Sequence, residues 1–136
     1  MNLSPEERTL LDRPLVAQLA TIMPDGSPHL TTIWHHRDED TIRMVCDATA
    51  LKARNIRRDP RVAINVVDID NPYRYIQIRG TAELVADSVK ARDELRALAN
   101  RYMGSVGDAF VDMYPADVDQ ITIIIHPKRV SLTVSV

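Results

Sequence analysis

The fold is constrained most strongly by a series of short segments in which apolar and β-branched residues alternate with polar ones. Residues 16–23 are one such segment, and the turn Pro24-Asp-Gly-Ser27 leads into a second at 28–36. Alternating segments joined by a turn of this kind are typical of paired strands, so residues 14–37 predict a β-hairpin. Residues 41–46 predict a third strand after an acidic turn. Because the connections are short, neighbouring strands are expected to be antiparallel.

The second half of the chain continues the pattern. Residues 62–67 predict a fourth strand, apolar enough to be buried on both faces. Residues 73–85 predict a long fifth strand, in which Gly80 permits a bulge or a sharp bend. Two last strands, 120–126 and 130–136, are separated by a Pro-Lys-Arg segment. Six or seven mostly antiparallel strands in one small domain tend to close into a barrel.

Two helices are predicted in the first half of the chain. The Ser-Pro-Glu-Glu sequence at 4–7 is a capping-box signature, and it predicts a helix that ends near Asp12. Residues 48–58 are rich in helix formers, and Asp47 or Thr49 is expected to be the N-cap.

A third helix is predicted from Asp87 or Ser88 to about Met103, and residues 104–119 are expected to be an irregular connection. The resulting fold class is mainly β (α+β), with two to three helices and a single domain over residues 1–136. One stripe of the third helix is expected to face a core: Ala91, Leu95, Leu98 and Tyr102.

Composition excludes several classes of protein. The single cysteine cannot form an internal disulfide, and the polar N-terminus is unlike a secretory signal, so we expect a cytoplasmic protein. No apolar run approaches the roughly 20 residues of a membrane helix, so no membrane association is expected. A net charge of −2, a pI near 6.1 and only 4% aromatic residues argue against a nucleic-acid partner.

One basic segment departs from this acidic background. Residues 52–61 carry a local charge of +4, so the remainder of the chain carries −6. A concentrated basic patch on an acidic protein favours a small, multiply charged anion. Lys52 lies near the predicted helix start, where free N–H groups and the helix dipole also favour a phosphate. Arg54 projects to a different side of an ideal helix, so it reaches the same phosphate only if the first turn is irregular.

The sequence contains no arrangement typical of a metal site or a nucleophile. His35 and His36 are adjacent on a predicted strand and point to opposite faces, so they cannot bind one metal together. We therefore expect no metal and assign no catalytic residue, although either histidine is a candidate for contact with substrate. Cys46 is most simply a small buried hydrophobic residue, because no positioned base accompanies it.

Four segments in order carry a family resemblance: residues 19–29, 31–34, 52–62, and 70–75 followed by the Arg-Gly pair at 79–80. Together they resemble the split β-barrel family of pyridoxamine-phosphate-oxidase-like flavoproteins, and specifically the branch that binds the deazaflavin coenzyme F420.

The resemblance implies a homodimeric split β-barrel with two cofactor sites at the dimer interface. The phosphate of the cofactor would be held by the segment after the third strand, with Lys52 as its principal ligand. Some relatives have an arginine where this chain has Ala50, which removes one expected contact. Further candidates follow from position: Thr49, Arg54 and Asn55 near the phosphate, and Arg57 and Arg58 near an acidic cofactor tail.

The cofactor ring would lie along Thr31, Thr32, Ile33 and Trp34, although Trp34 could instead fill the barrel. The expected function is that of an F420-dependent reductase, which passes a hydride to a small unsaturated acceptor such as an enone, a quinone or a tetrapyrrole. Two alternatives stay open: an FMN-binding oxidase or flavin reductase, and a non-catalytic F420-binding storage protein.

Overall fold

The computed structural model describes residues 1–134, and its strands form one antiparallel sheet in the order β2-β1-β5-β6-β7-β4-β3. This sheet confirms the predicted mainly β split barrel. The strands are β1 (Ala17–Ile22), β2 (Pro28–Ile33), β3 (His36–Asp38), β4 (Thr41–Asp47), β5 (Arg61–Val67), β6 (Arg74–Val85) and β7 (Gln120–Val134). The helices are α1 (Pro5–Leu11), α2 (Leu51–Arg58), α3 (Ser88–Met103) and α4 (Gly107–Asp112), with a 3-10 turn at Gly104–Val106.

The sheet is curled, because residues from strands far apart in the strand order share one core. Ile33 of β2 and Met44 of β4 belong to the same buried cluster, although four strands separate β2 from β4 in the sheet. Alternate residues of the intervening strands complete this cluster. Helix α1 contributes Leu10 and Leu11, which are fully buried. The predicted capping box is present at the start of α1.

Strands β6 and β7 bend together at a bulge. The register between them shifts after Arg79, and Gly80 then pairs with Pro127. A β-carbon at Gly80 would clash with the carbonyl oxygen of His126, so only glycine permits this approach. The bulge predicted at Gly80 is confirmed. The prediction that residues 120–136 form two strands is wrong, because β7 is continuous from Gln120 to Val134. Pro127 cannot donate a hydrogen bond to β6, and the bulge accommodates it without ending the strand.

One other predicted boundary and one predicted burial pattern are wrong. The return strand of the hairpin ends at Ile33, and a separate short strand begins at His36. Strand β5 is buried on one face only, because Ala63 and Asn65 are half-buried rather than buried. The last two residues of the predicted final strand, 135–136, lie outside the described residues.

Helices α3 and α4 form a second layer against the outer side of β4. Asp87 caps α3, as predicted, and the predicted stripe is confirmed as its buried face, with Tyr102 half-buried. The prediction of an irregular connection after α3 is wrong, because residues 104–112 are helical. Gly107 allows α4 to lie close to α3, since a β-carbon there would meet the side chain of Asn100.

Candidate functional site

The start of helix α2 has no side-chain cap. The N-cap residue is Ala50, so the prediction that Asp47 or Thr49 caps this helix is wrong. The Asp47 carboxylate instead accepts a hydrogen bond of 2.8 Å from Gln120 Nε2, and Thr49 is exposed. The first-turn N–H groups of α2 therefore lack a side-chain partner, and they favour an anion together with the helix dipole.

Two cations beside this helix start are free of internal partners. Lys52 is half-buried and Arg54 is exposed, and neither forms an ion pair or a side-chain hydrogen bond within residues 1–134. Burial raises the pKa of the Cys46 thiol to about 11, although the charges of Lys52 and Arg57 oppose this rise. Cys46 is therefore a neutral thiol near neutral pH, while Lys52 and Arg54 retain their capacity to bind an anion.

The later arginines of the basic segment are occupied by the fold. Arg57 donates to the carbonyl oxygen of Ala48 at 2.9 Å, and Arg58 donates to that of Ile22. Arg61 forms an ion pair of 2.7 Å with Asp59 and lowers the pKa of that carboxyl group to about 2. Within the basic segment, the positive charge without an internal partner is therefore that of Lys52 and Arg54, at the beginning of α2.

Asn55 lies inside the protein rather than at its surface. Its side chain is fully buried, and Nδ2 donates to Thr21 Oγ1 at 3.0 Å. Its Oδ1 accepts from Arg58 at 3.1 Å. As placed, Asn55 fixes α2 against β1 and has no surface that a ligand could contact.

The four residues predicted to line the cofactor ring do not share one face. Thr31 and Ile33 point toward the barrel interior with Leu19 and Ala17, whereas Thr32 lies on the outer face. The Thr31 hydroxyl is buried and has no hydrogen-bond partner in the described part of the chain. Such an orphaned group is rare and is compatible with a ligand or ordered water.

Trp34 belongs to the helical layer. Its ring stacks on Tyr102 with a centroid distance of 5.3 Å, and it meets Phe110 at 5.5 Å. A hollow of about 250 Å³ lies beside it, lined also by Thr32 and Tyr114. Thr32, Ile33 and Trp34, which were predicted to lie on the ring side, therefore all line this hollow, although their side chains point in different directions.

Phe110 and Tyr114 are site candidates that the sequence interpretation missed. They line this hollow, and their rings are 5.5 Å apart in an edge-on arrangement. Phe110 lies in α4 and Tyr114 two residues beyond its end. Their four-residue spacing is the interval at which side chains meet on a helix, a weak signal without the tertiary contact between Gly107 and α3.

The two candidate histidines occupy different surroundings. His35 is fully buried, and burial together with the charge of Arg101 lowers its pKa to about 4. His36 Nε2 lies 2.8 Å from Glu94 Oε2. Burial opposes the charge of Glu94, but hydrogen bonds from His36 and Arg43 lower its pKa to about 2. His35 is thus enclosed by the protein, whereas the His36 ring is partly exposed and paired with Glu94.

Across residues 1–134, no three His, Cys, Asp or Glu side chains converge in a way that could hold a metal ion. None of the helices in this range is both long and apolar enough to cross a membrane.

The barrel and its basic helix start match a known family of proteins. The family model described as pyridoxamine 5'-phosphate oxidase matches residues 3–133, and the chain belongs to this family. Among solved structures, the chain is similar to an F420 reductase, with a TM-score of 0.79 and 35% identity over 95% of this chain and 98% of that one.

Two more solved structures have a similar fold at lower sequence identity. The conserved hypothetical protein Rv2991 from Mycobacterium tuberculosis has a TM-score of 0.74 and 28% identity over 96% of this chain and 84% of that one. HutZ, the heme storage protein from Vibrio cholerae, has a TM-score of 0.70 but only 18% identity over 98% and 96% of the two chains. The resemblance to HutZ therefore concerns the fold alone.

Proposed function

We propose that this protein is an F420-dependent reductase that transfers a hydride from the reduced deazaflavin to a small unsaturated acceptor, such as an enone, a quinone or a tetrapyrrole. The observation that carries the proposal is the uncapped start of α2 beside Lys52, a cation without an internal partner in the described residues. The 35% identity to an F420 reductase over nearly the whole chain supports the choice of cofactor.

The residues present fit the phosphate of such a cofactor. The Lys52 ammonium, the Arg54 guanidinium and the free N–H groups of the first turn of α2 provide charge-assisted donors in one place. Exposed Thr49 is next to this group in the chain. Arg57 and Arg58 are exposed residues of the last turn of α2, and the Arg57 guanidinium reaches back to Ala48, just before the helix. An acidic tail could displace the bonds of both arginines to backbone carbonyls.

The deazaflavin, when bound, supplies the hydride, and the protein then has to bind, orient and exclude water. In this proposal Lys52 anchors the phosphate, while Thr32, on the outer face of β2, offers its hydroxyl group to the ring side. Trp34 forms an apolar wall held rigid by Tyr102. This division of labour requires no acid–base pair, and the proposal includes a cytoplasmic homodimer whose two cofactor sites lie at the subunit interface.

The experiment is a titration of the purified protein with F420 and separately with FMN. We expect F420 to bind, and Lys52→Ala to weaken it by about 1.5–3 kcal/mol, roughly 10- to 150-fold, because one charge-assisted contact is lost. Lys90→Ala, which removes an exposed lysine of α3, is the matched control and should bind F420 as the wild type does.

Each alternative has its own outcome. Preferential binding of FMN would replace the deazaflavin proposal with a flavin-dependent activity. Tight F420 binding without oxidation of reduced F420 by any enone, quinone or tetrapyrrole tested would indicate a storage protein. Equal F420 affinities in Lys52→Ala and wild type would remove the phosphate site from the start of α2.

A further inference from the structure

The open end of the hairpin formed by β1 and β2 is not closed by backbone pairing. The register between these strands ends at the pair Ala17 and Ile33. Two residues further along, the same register would place Leu15 opposite His35, but both residues lie outside the strands. Because both are buried, their backbone groups need partners from elsewhere in the chain.

Tyr102, in the last turn of α3, supplies these partners. Its hydroxyl group donates to the Leu15 carbonyl oxygen at 2.6 Å and accepts from the His35 N–H at 3.2 Å. A hydroxyl group can donate and accept at the same time, so one side-chain oxygen bridges the two backbone groups. Arg101 then donates to the His35 carbonyl oxygen at 3.2 Å. The hydroxyl of Tyr102 therefore acts as a spacer that keeps Leu15 and His35 apart.

The hollow beside Trp34 lies at this spacer. Val16 and Trp34 come between the last strand pair and the spacer, and the register of the hairpin places them opposite each other. Both residues line the hollow of about 250 Å³. Direct pairing of the strands would bring the β-carbons of opposite residues to about 4.5–5.5 Å, which would narrow the hollow between them. The width of the hollow therefore depends on Tyr102.

The ring of Tyr102 also sets the orientation of Trp34. The two rings are stacked, with a centroid distance of 5.3 Å and an angle of 7° between their planes. The Tyr102 ring is itself enclosed, because His35 meets it edge-on at 6.5 Å and the Arg101 guanidinium lies 5.5 Å from its centroid. Packing of this kind restricts an aromatic ring, so the plane of Trp34 is fixed from α3.

We propose that Tyr102 is a positioning residue for hydride transfer, whose hydroxyl group keeps the hollow open and whose ring holds Trp34 along it. This inference rests on the proposed function, in which Trp34 is a wall of the ring site. Tyr102 is not among the residues that line the hollow, so it acts through Trp34 and the backbone of His35. A displacement of about 1 Å in the reacting geometry can cost roughly 100-fold in rate, so the effect should appear in kcat.

The first experiment measures oxidation of reduced F420 by duroquinone, a neutral quinone that has no free ring position for addition of a thiol. Tyr102→Phe keeps the ring and removes the hydroxyl group. We expect its kcat to fall by about 10- to 100-fold, with a KM for reduced F420 close to that of the wild type. Lys52→Ala should show the reverse pattern, because it removes an anchor that acts equally before and during the reaction.

The matched control for a general loss of stability is Ile76→Val, which removes one methyl group from a fully buried side chain of the barrel. It should lower the melting temperature and keep the wild-type kcat. An equal fall in kcat for Ile76→Val and Tyr102→Phe would overturn the inference, since lost stability alone would then account for both.

The second experiment needs no cofactor. Trp34 is the single tryptophan of the chain, so its near-ultraviolet circular dichroism band reports how firmly its ring is held. We expect this band to weaken in Tyr102→Phe and to weaken further in Tyr102→Leu, which also removes the stacked ring, and to be unchanged in Ile76→Val.

The two experiments separate this inference from the proposed function. A wild-type kcat and a wild-type Trp34 band in Tyr102→Phe would overturn the inference and leave the F420 reductase proposal in place. A wild-type protein that neither binds nor oxidises reduced F420 would overturn the proposed function and with it the role in hydride transfer. The Trp34 band would then still decide whether Tyr102 fixes the wall of the hollow.

Discussion

Charged groups on two sides of the barrel are used in different ways. Beside α3, Arg101 donates to four backbone carbonyl groups and Arg92 to three, and Glu94 is held by the side chains of His36 and Arg43. Beside the start of α2, Lys52 and Arg54 have no such partners in residues 1–134. The α3 side therefore uses its charges to hold the fold, and the α2 side leaves them available.

This difference separates stability from binding. Removing a charged side chain that donates to backbone carbonyl groups should lower the free energy of unfolding and leave ligand affinity nearly unchanged. A charge without internal partners should do the reverse, as tested with Lys52→Ala. Three variants test this difference: one removes a charge beside α3, one removes the buried ring of His35, and one removes an exposed ion pair.

The largest effect is expected for Arg101→Met. The methionine keeps part of the apolar stem but leaves the carbonyl groups of Leu11, Asp12, Arg13 and His35 without their donor. Because charged donors are lost and acceptors are left unsatisfied, the free energy of unfolding should fall by roughly 3–5 kcal/mol. Urea denaturation measures this change.

The matched control is Arg54→Met, which removes an exposed arginine with no internal partner among the described residues. Its denaturation midpoint should equal that of the wild type. If the two variants lost equal stability, the distinction between the two sides of the barrel would be wrong.

His35 is the exception to the rule that the α3 side satisfies its polar groups. Neither of its ring nitrogens has a hydrogen-bond partner within residues 1–134, and burial lowers its pKa to about 4 from 6.5. Arg101 lowers this pKa further, and Asp12 opposes the change. The unfolded chain therefore binds a proton more readily than the folded protein does.

Stability should accordingly be complete above pH 6.5 and decrease as the pH falls toward 4, by about 3 kcal/mol in total. His35→Leu should abolish most of this decrease. Denaturant midpoints between pH 7 and 4.5 measure it, above the range in which Glu94, with a pKa of about 2, contributes. An identical pH dependence in wild type and His35→Leu would contradict the assignment.

The smallest effect is expected for Arg61→Gln. Arg61 pairs with Asp59 at 2.7 Å, but its side chain is 73% exposed. Ion pairs of this kind contribute little, so the melting temperature should remain within about 1 °C of the wild-type value at moderate salt. A clear decrease in the melting temperature, measured by calorimetry, would show that even an exposed ion pair stabilises this fold.

Local chemistry in the sequence was sufficient for much of the fold. The capping box at the start of α1 and the apolar stripe of α3 depend on residues close together in the chain, and a glycine within a strand indicated the bulge at Gly80; each was predicted. Strand alternation also indicated the antiparallel barrel. Short α4 was missed because its packing depends on Gly107 lying against α3, a contact made by tertiary structure.

The candidate site was less accessible to prediction for the same reason. Position in the sequence suggested that Asn55 and Arg58, like Lys52, could contact the cofactor, but their partners Thr21 and Ile22 lie more than thirty residues away. Which cations remain free depends on those distant acceptors. The bridge that the Tyr102 hydroxyl forms at the end of the hairpin likewise appears only once the packing of α3 is known.

The uncapped start of α2 has a consequence for local order. Ser4 completes the first turn of α1 and Asp87 that of α3, but the side chain of Ala50 cannot accept a hydrogen bond. A bound phosphate would take the place of that missing acceptor. Occupancy by a ligand and ordering of the first turn are then a single equilibrium, in which the backbone amides of residues 51–53 are protected from hydrogen exchange only when the anion is present.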